Sequence, residues 1–200
     1  MNIILASQSP RRLTLLQSAG FLVQVYPSHI DETALAGEST KDMTLRLCKE
    51  KAAAFAFASD DVLTPVVAAD TLVAVADEAL GQPKDLAEAK NMIQKLSGKQ
   101  HQVHTAVCVR VDHIYKTAVV MTSVTFRVIA NDEIDVYLQH NDVLDKAGAY
   151  AIQGGASSFI TGIEGCLDNV IGLPVSQTKA LIREALAEAE QERKELALGV

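Results

Sequence analysis

The chain has 200 residues, 48% of them hydrophobic, 22% charged and 4% aromatic, with no Trp. It can bury a substantial core without disulfide or metal staples, and it is neither disordered nor a stacking platform for single-stranded nucleic acid. Eighteen basic against twenty-five acidic side chains leave a formal charge of −7, which excludes a broad basic face for nucleic acid. The opening residues carry neither a basic flank nor an apolar signal core, and no apolar run approaches the about 18 residues that cross a bilayer. The expectation is a cytoplasmic protein with no membrane partner. Cys48, Cys108 and Cys166 share no metal or redox spacing and read as buried thiols in a reducing compartment.

Ile3-Ile4-Leu5 predicts a strand and Ser7 to Pro10 a turn. Pro10 suits the first position of a helix whose apolar face is Leu13, Leu15, Leu16 and Ala19, closed by Gly20. Phe21 to Tyr26 reads as the next strand, and a polar loop then carries Asp31-Glu32-Thr33. Ser39-Thr40 starts a second helix, with Met43, Leu47, Ala54 and Phe57 near the helical period. Val66 to Ala69 does not alternate and reads as a strand covered on both faces, ended by Asp70; Leu72 to Ala76 is a second such run. Pro83 precedes an amphipathic helix over Leu86 to Leu96, stopped by Ser97-Gly98. Val103 to Val111 and Val120 to Val128 alternate at period two around His113, the pattern of a long hairpin. Asn131 caps a short helix to Gln139, and Asp145 to Gly155 is a glycine-containing loop or strand end. Pro174 opens a terminal helix whose Glu-rich end, 190–200, is expected to fray. No linker or repeat marks a cut, so the reading is one α/β, mixed α+β domain over 1–200.

Four places can carry chemistry. Ser7-Gln8-Ser9-Pro10-Arg11-Arg12, between strand and helix, combines helix-start N–H groups, hydroxyls and two guanidiniums, a set suited to a polyphosphate. The plain alternative is a serine cap with solvated arginines, and no P-loop is present. Asp70 ends one strand and Glu32 lies in the loop after another; strand ends in open α/β sheets meet at the crevice, and a carboxylate ending an apolar strand must be paired or solvated. Magnesium held by one or two carboxylates and substrate phosphates satisfies that need; a turn cap at Asp70-Thr71 does so too. Lys51 and Lys84 can neutralise phosphate or be merely solvated. In Asp145 to Gly154, Gly148 permits close backbone approach and Gln153 can meet a planar base or simply end a turn. His101 and His104, three apart on a strand, face opposite ways and make a poor metal pair.

In chain order, Ser7 to Arg12, Asp31-Glu32-Thr33, Glu50-Lys51-Ala52, Ala69-Asp70-Thr71, Gly81-Gln82-Pro83-Lys84-Asp85, Leu96-Ser97-Gly98, Asp145-Lys146-Ala147-Gly148-Ala149-Tyr150, Ile152-Gln153-Gly154 and Gly172-Leu173-Pro174 form one series. That series resembles the Maf-like family of nucleotide pyrophosphatases from Asn2 to about Leu186. The resemblance implies a two-lobed mixed sheet with flanking helices around a long central cleft, a homodimer, and a divalent metal, magnesium or manganese. It implies hydrolysis of a nucleoside triphosphate between the α and β phosphates, with Asp70 as the base. Glu32 and Asp70, the latter as base, ligand or both, are the candidate carboxylates for the ion, and Ser7, Arg11, Arg12, Lys51, Thr71, Lys84 and Gln153 are the candidates for the substrate. Arg11, Thr71 and Gln153 match the subgroup acting on dTTP and UTP rather than the one acting on 7-methyl-GTP. Gln8, Gln82 and Cys166-Leu167-Asp168 depart from the commonest pattern, and Gln82 removes one positive charge. The rival reading is a nucleotide-sensing regulator of cell division without turnover. A protein acting only through its acidic terminal helix leaves the interior motifs unexplained.

Overall fold

Helices and strands alternate through most of the computed structural model, which describes residues 1–57, 63–76 and 78–198. The strands are β1 (Asn2–Leu5), β2 (Leu22–Val25), β3 (Val66–Val75), β4 (Glu78–Leu80), β5 (Gln100–Val111), β6 (Ile114–Phe126) and β7 (Ile160–Glu164). The helices are α1 (Pro10–Ser18), α2 (Thr40–Ala53), α3 (Leu86–Leu96), α4 (Asn131–His140), α5 (Leu167–Ile171) and α6 (Val175–Leu198). The strands form one mixed seven-stranded sheet in the order β2-β1-β3-β5-β6-β7, with β4 beside β3. β1 runs parallel to β2 and β3, whereas β4 on β3 and β7 on β6 are antiparallel. The chain forms two compact units, one of Met1–Asp70, Ala106–Val119 and Gly172–Val200, the other of Thr71–Thr105 and Val120–Ile171.

In the first unit, strand period two divides the core into two sets. Ile3, Leu5, Val67 and Ala69 pack with Leu16 of α1 and Ile182 and Ala185 of α6. Ile4, Ala6, Val66 and Ala68 pack with Cys48 and Ala52 of α2. Asp70 continues the second set by parity and is thereby aimed at α2. It does not end the strand, as the run of apolar residues suggested, and it caps no turn. β1 pairs with β3 only as far as Leu5 and Val67, but Val73 to Val75 then pair with Leu80 to Glu78 and keep β3 extended through Asp70-Thr71.

Other differences have local causes. α2 stops at Ala53, so Phe57 lies beyond it, and Arg110 donates to the carbonyls of Ala52, Ala53 and Phe55 at that end. Asn131 is the first residue of α4 rather than its cap; its Oδ1 accepts from Gln94 on α3, and Glu133 returns to the Ala130 N–H. Cys166 is only half-buried, while Cys48 and Cys108 are fully covered. A hydrogen bond with Cys108, then burial, push the Cys48 thiol up, which keeps it protonated and inert. Among the described residues α6 runs as helix from Val175 to Leu198, with Glu188 and Glu192 bridged to Lys116 and His113, which leaves the expected fraying of 190–200 untested.

The second unit is built on Phe126, which meets His101, Tyr150 and Phe159 edge to face. The tight approach foreseen at Gly148 is to Val73: Gly148 has φ +67°, its N–H donates to the Gly81 carbonyl at 2.9 Å, and a Cβ there would sit 3.0 Å from Val73 Cγ2. His101 is buried with Nε2 2.8 Å from the Tyr150 hydroxyl, and desolvation pushes it down to about 4. Between about pH 4 and its unfolded value near 6.5 the unfolded chain therefore binds a proton that the folded chain does not, so stability rises with pH through that window. His101→Gln is expected to remove about 3 kcal/mol of this dependence, read as a smaller loss of urea midpoint between pH 7 and pH 4 than in the parent.

Candidate active site

The loop after β1 and the middle of β3 come to one place for a topological reason. β1 and β3 are parallel, and the Ala6 N–H still donates to the Val67 carbonyl at 2.8 Å. Ser7 therefore leaves the sheet at the level where β3 approaches Asp70, the carboxyl ends of neighbouring parallel strands. Ser7 is buried, and its Oγ accepts from the Ser9 N–H at 3.2 Å and from Arg12 Nη1 at 3.1 Å. Both bonds use acceptor lone pairs, so its proton can still be donated. Ser9 is the N-cap residue of α1, yet its side chain makes no capping bond.

Arg12 is fixed from two sides. Its Nε donates to the Gly172 carbonyl at 2.9 Å, across 160 positions of sequence, while Nη1 holds Ser7. Burial holds the guanidinium below its ordinary value; Asp70 and Glu32 pull the other way, and Arg11 adds to the depression. Arg12 thus stands within charge reach of both carboxylates.

Lys51 joins those carboxylates. It lies three residues after Cys48 on the face of α2 that covers β3, as helical geometry requires. Its Nζ is 2.6 Å from Asp70 Oδ1 and 2.8 Å from Glu32 Oε1. Lys51 is 7% and Asp70 5% exposed, whereas Glu32 reaches in from an exposed loop. Ser7, Arg12, Glu32, Lys51 and Asp70 therefore form one group, with Arg11 alongside on α1. Among the described residues no three of His, Cys, Asp and Glu gather around one point. Two hard carboxylates held on a single ammonium nevertheless suit the way magnesium is bound, by one or two protein carboxylates with substrate phosphates and water completing the shell.

The remaining candidates belong to the second unit. The Thr71 hydroxyl is 3.0 Å from that of Thr105, which donates to the Asn169 carbonyl at 3.1 Å. Asn169 is fully buried and donates to the Val103 carbonyl and the Thr122 hydroxyl, each at 2.9 Å. Lys84 is exposed in the loop before α3, and Gln153 is exposed in the turn after Tyr150. Their two segments are tied by Gly148 N–H to Gly81 and by Gln82 Nε2 to the Asp145 carbonyl at 3.3 Å. The Asn169 network was not foreseen, because a polar side chain on a five-residue helix carries no local mark of its partners.

The Maf-like protein family model matches residues 2–185. The chain belongs to the Maf-like family. Among its Maf-like relatives is the dTTP/UTP pyrophosphatase of Anaeromyxobacter dehalogenans strain 2CP-1, 44% identical over 187 residues, 92% of this chain and 93% of that one. The protein of the same name from Myxococcus xanthus is 44% identical over 183 residues, covering 92% of each chain. That of Bacillus anthracis is 42% identical over 182 residues, covering 91% of this chain and 93% of its own.

The buried pair makes a stability claim. Lys51→Met is expected to strand the Asp70 carboxylate and cost about 3 kcal/mol, the lower end for breaking a buried pair because Arg12 stays nearby. Chemical denaturation of the variant beside Lys51→Arg checks it.

Proposed function

We propose that this chain hydrolyses dTTP and UTP, and modified pyrimidine nucleotides of the same shape, between the α and β phosphates, releasing the monophosphate and pyrophosphate. What supports the reading is the Lys51–Asp70 pair at 2.6 Å with Arg12 in charge reach, within a Maf-like chain 44% identical to a dTTP/UTP pyrophosphatase. Phosphoryl transfer is carried by positioning and charge neutralisation, and this group offers both.

Arg11 and Arg12 take the phosphate tail at the start of α1, with the Ser7 proton as a further donor and Lys84 as a further cation. Lys51 orients Asp70 through Oδ1 and balances its charge. Asp70 accepts the proton of the attacking water as the water oxygen bonds to phosphorus and the α–β bridge opens, the pair of electrons leaving with pyrophosphate. Glu32 and Asp70 would hold a magnesium or manganese ion, which would supply charge neutralisation at the phosphate oxygens. Gln153 offers a donor and an acceptor to the O4 and N3–H edge of uracil or thymine, and Thr71 faces the base or sugar. The protein works as a cytoplasmic homodimer on small nucleotides. Among the described residues no helix is long and apolar enough to cross a membrane. The sensing alternative uses the same residues but lacks the support that the relatives' names lend to hydrolysis.

Asp70→Asn is expected to lower pyrophosphate release by about a thousandfold, the scale of a lost general base, with a cooperative melting transition still present but shifted downward, because Lys51 keeps only Glu32 as partner. Turnover like the parent's contradicts the assignment, and chelator should abolish release in the parent. Gln153→Ala is expected to lower UTP turnover about tenfold more than GTP turnover, the worth of one hydrogen-bonded contact; equal changes in a substrate panel remove base reading from this residue.

A further inference from the structure

Glu32 is the least anchored member of the site by secondary structure. Residues 26–39, between β2 and α2, contain no helix or strand, yet the Glu32 carboxylate stands 2.8 Å from Lys51 Nζ. Ordering each such residue costs backbone entropy, so a stretch this exposed needs specific bonds to hold one conformation. Those bonds converge on Arg46 of α2. Its Nε and Nη2 form a two-pronged contact with Glu38, at 2.7 Å to Oε1 and 2.9 Å to Oε2. Nη2 also donates to the Thr33 carbonyl at 3.1 Å, and Nη1 lies 3.3 Å from both oxygens of Glu50, one turn along the helix.

The acceptors then order the loop itself. Glu38, its side chain only 9% exposed, takes the Leu35 N–H at 3.2 Å through Oε2. Asp31 Oδ1 takes the Thr33 N–H at 2.9 Å and the Thr33 hydroxyl at 2.6 Å. Thr33 is therefore held by its carbonyl from Arg46 and by its N–H and hydroxyl from Asp31, and Glu32 is the residue between the two.

We propose that Arg46 is a positioning residue: its guanidinium pins the 31–38 segment to α2 and so sets the Glu32 carboxylate on Lys51 and toward the divalent ion. The inference rests on the role given to Glu32 above. A lysine cannot replace it, because one ammonium cannot serve Glu38, Glu50 and the Thr33 carbonyl in a fixed planar fork.

A double-mutant cycle with Arg46→Ala and Glu32→Gln tests this, with Arg46→Lys and Glu38→Gln as second ways to open the same clamp. Three readouts are taken: kcat/KM for dTTP, manganese affinity by EPR with the α,β-imido analogue of UTP bound, and amide exchange. Arg46→Ala is expected to lower kcat/KM and manganese affinity about tenfold in the parent and less than twofold in Glu32→Gln. Exchange at the Thr33 and Leu35 amides should rise at least tenfold while that of β1 and β3 stays unchanged. Arg46→Lys should resemble Arg46→Ala. Equal losses in both backgrounds, or unchanged exchange at Thr33 and Leu35, overturn the proposal. A parent that releases no pyrophosphate overturns the functional reading instead, and exchange together with manganese affinity still decides the role of Arg46.

Discussion

An ion pair placed inside a β-sheet core is the constraint on which the site depends. Asp70 sits in the middle of β3, where its neighbours by parity, Val66 and Ala68, are fully buried. A carboxylate in such a place persists only with a partner of opposite charge at short range, since lone buried charges are costly. Lys51 meets that requirement at 2.6 Å, and in doing so fixes the rotation and register of α2 over the strand. Once α2 is placed, Glu32 and Arg12 have a common target, and the loop and the helix start that carry them are drawn to the same charges. A stability-minded core would hold an apolar pair here. In an acidic chain the proposed polyphosphate site has reason to keep the charged one, because local cations must offset the chain's own field.

The second unit solves a different problem with neutral groups. Thr71 follows Asp70 directly, and its hydroxyl is held through Thr105 to the buried Asn169. Gly148 lets the 145–150 segment lie on Val73 of the same strand, with a bond to Gly81. Among the described residues, segments some seventy positions apart are thereby tied by hydroxyls, amides and backbone groups.

Much of this was legible in the residues. Leu86 to Leu96, with Ser97-Gly98 after it, and the alternating hairpin around His113 form as their periodicity indicates, since each is written in a run longer than its errors. Every residue of the charged group was singled out, because Pro10, Glu32, Lys51 and Asp70 stand in motifs whose order is informative. Strand extent was the weak point: reading β3 as ended at Asp70 treated the charge as a boundary, when Lys51, nineteen residues away in sequence, makes it an interior position. Arg46 was passed over for a related reason. Its partners Thr33, Glu38 and Glu50 are spread over two elements, and only the folded loop shows that one guanidinium serves all three. Asn131 looked like a cap by residue type, but its amide oxygen is spent on Gln94.

The Arg12, Lys51, Asp70 and Glu32 group is proposed to receive a triphosphate. A crystal structure with magnesium and the α,β-imido analogue of UTP tests it most directly. The phosphate oxygens should lie within hydrogen-bond distance of the Arg12 guanidinium, with the ion on the Glu32 and Asp70 carboxylates. An analogue ordered away from these four residues, with the Lys51–Asp70 contact unaltered and no ion beside it, would contradict the account.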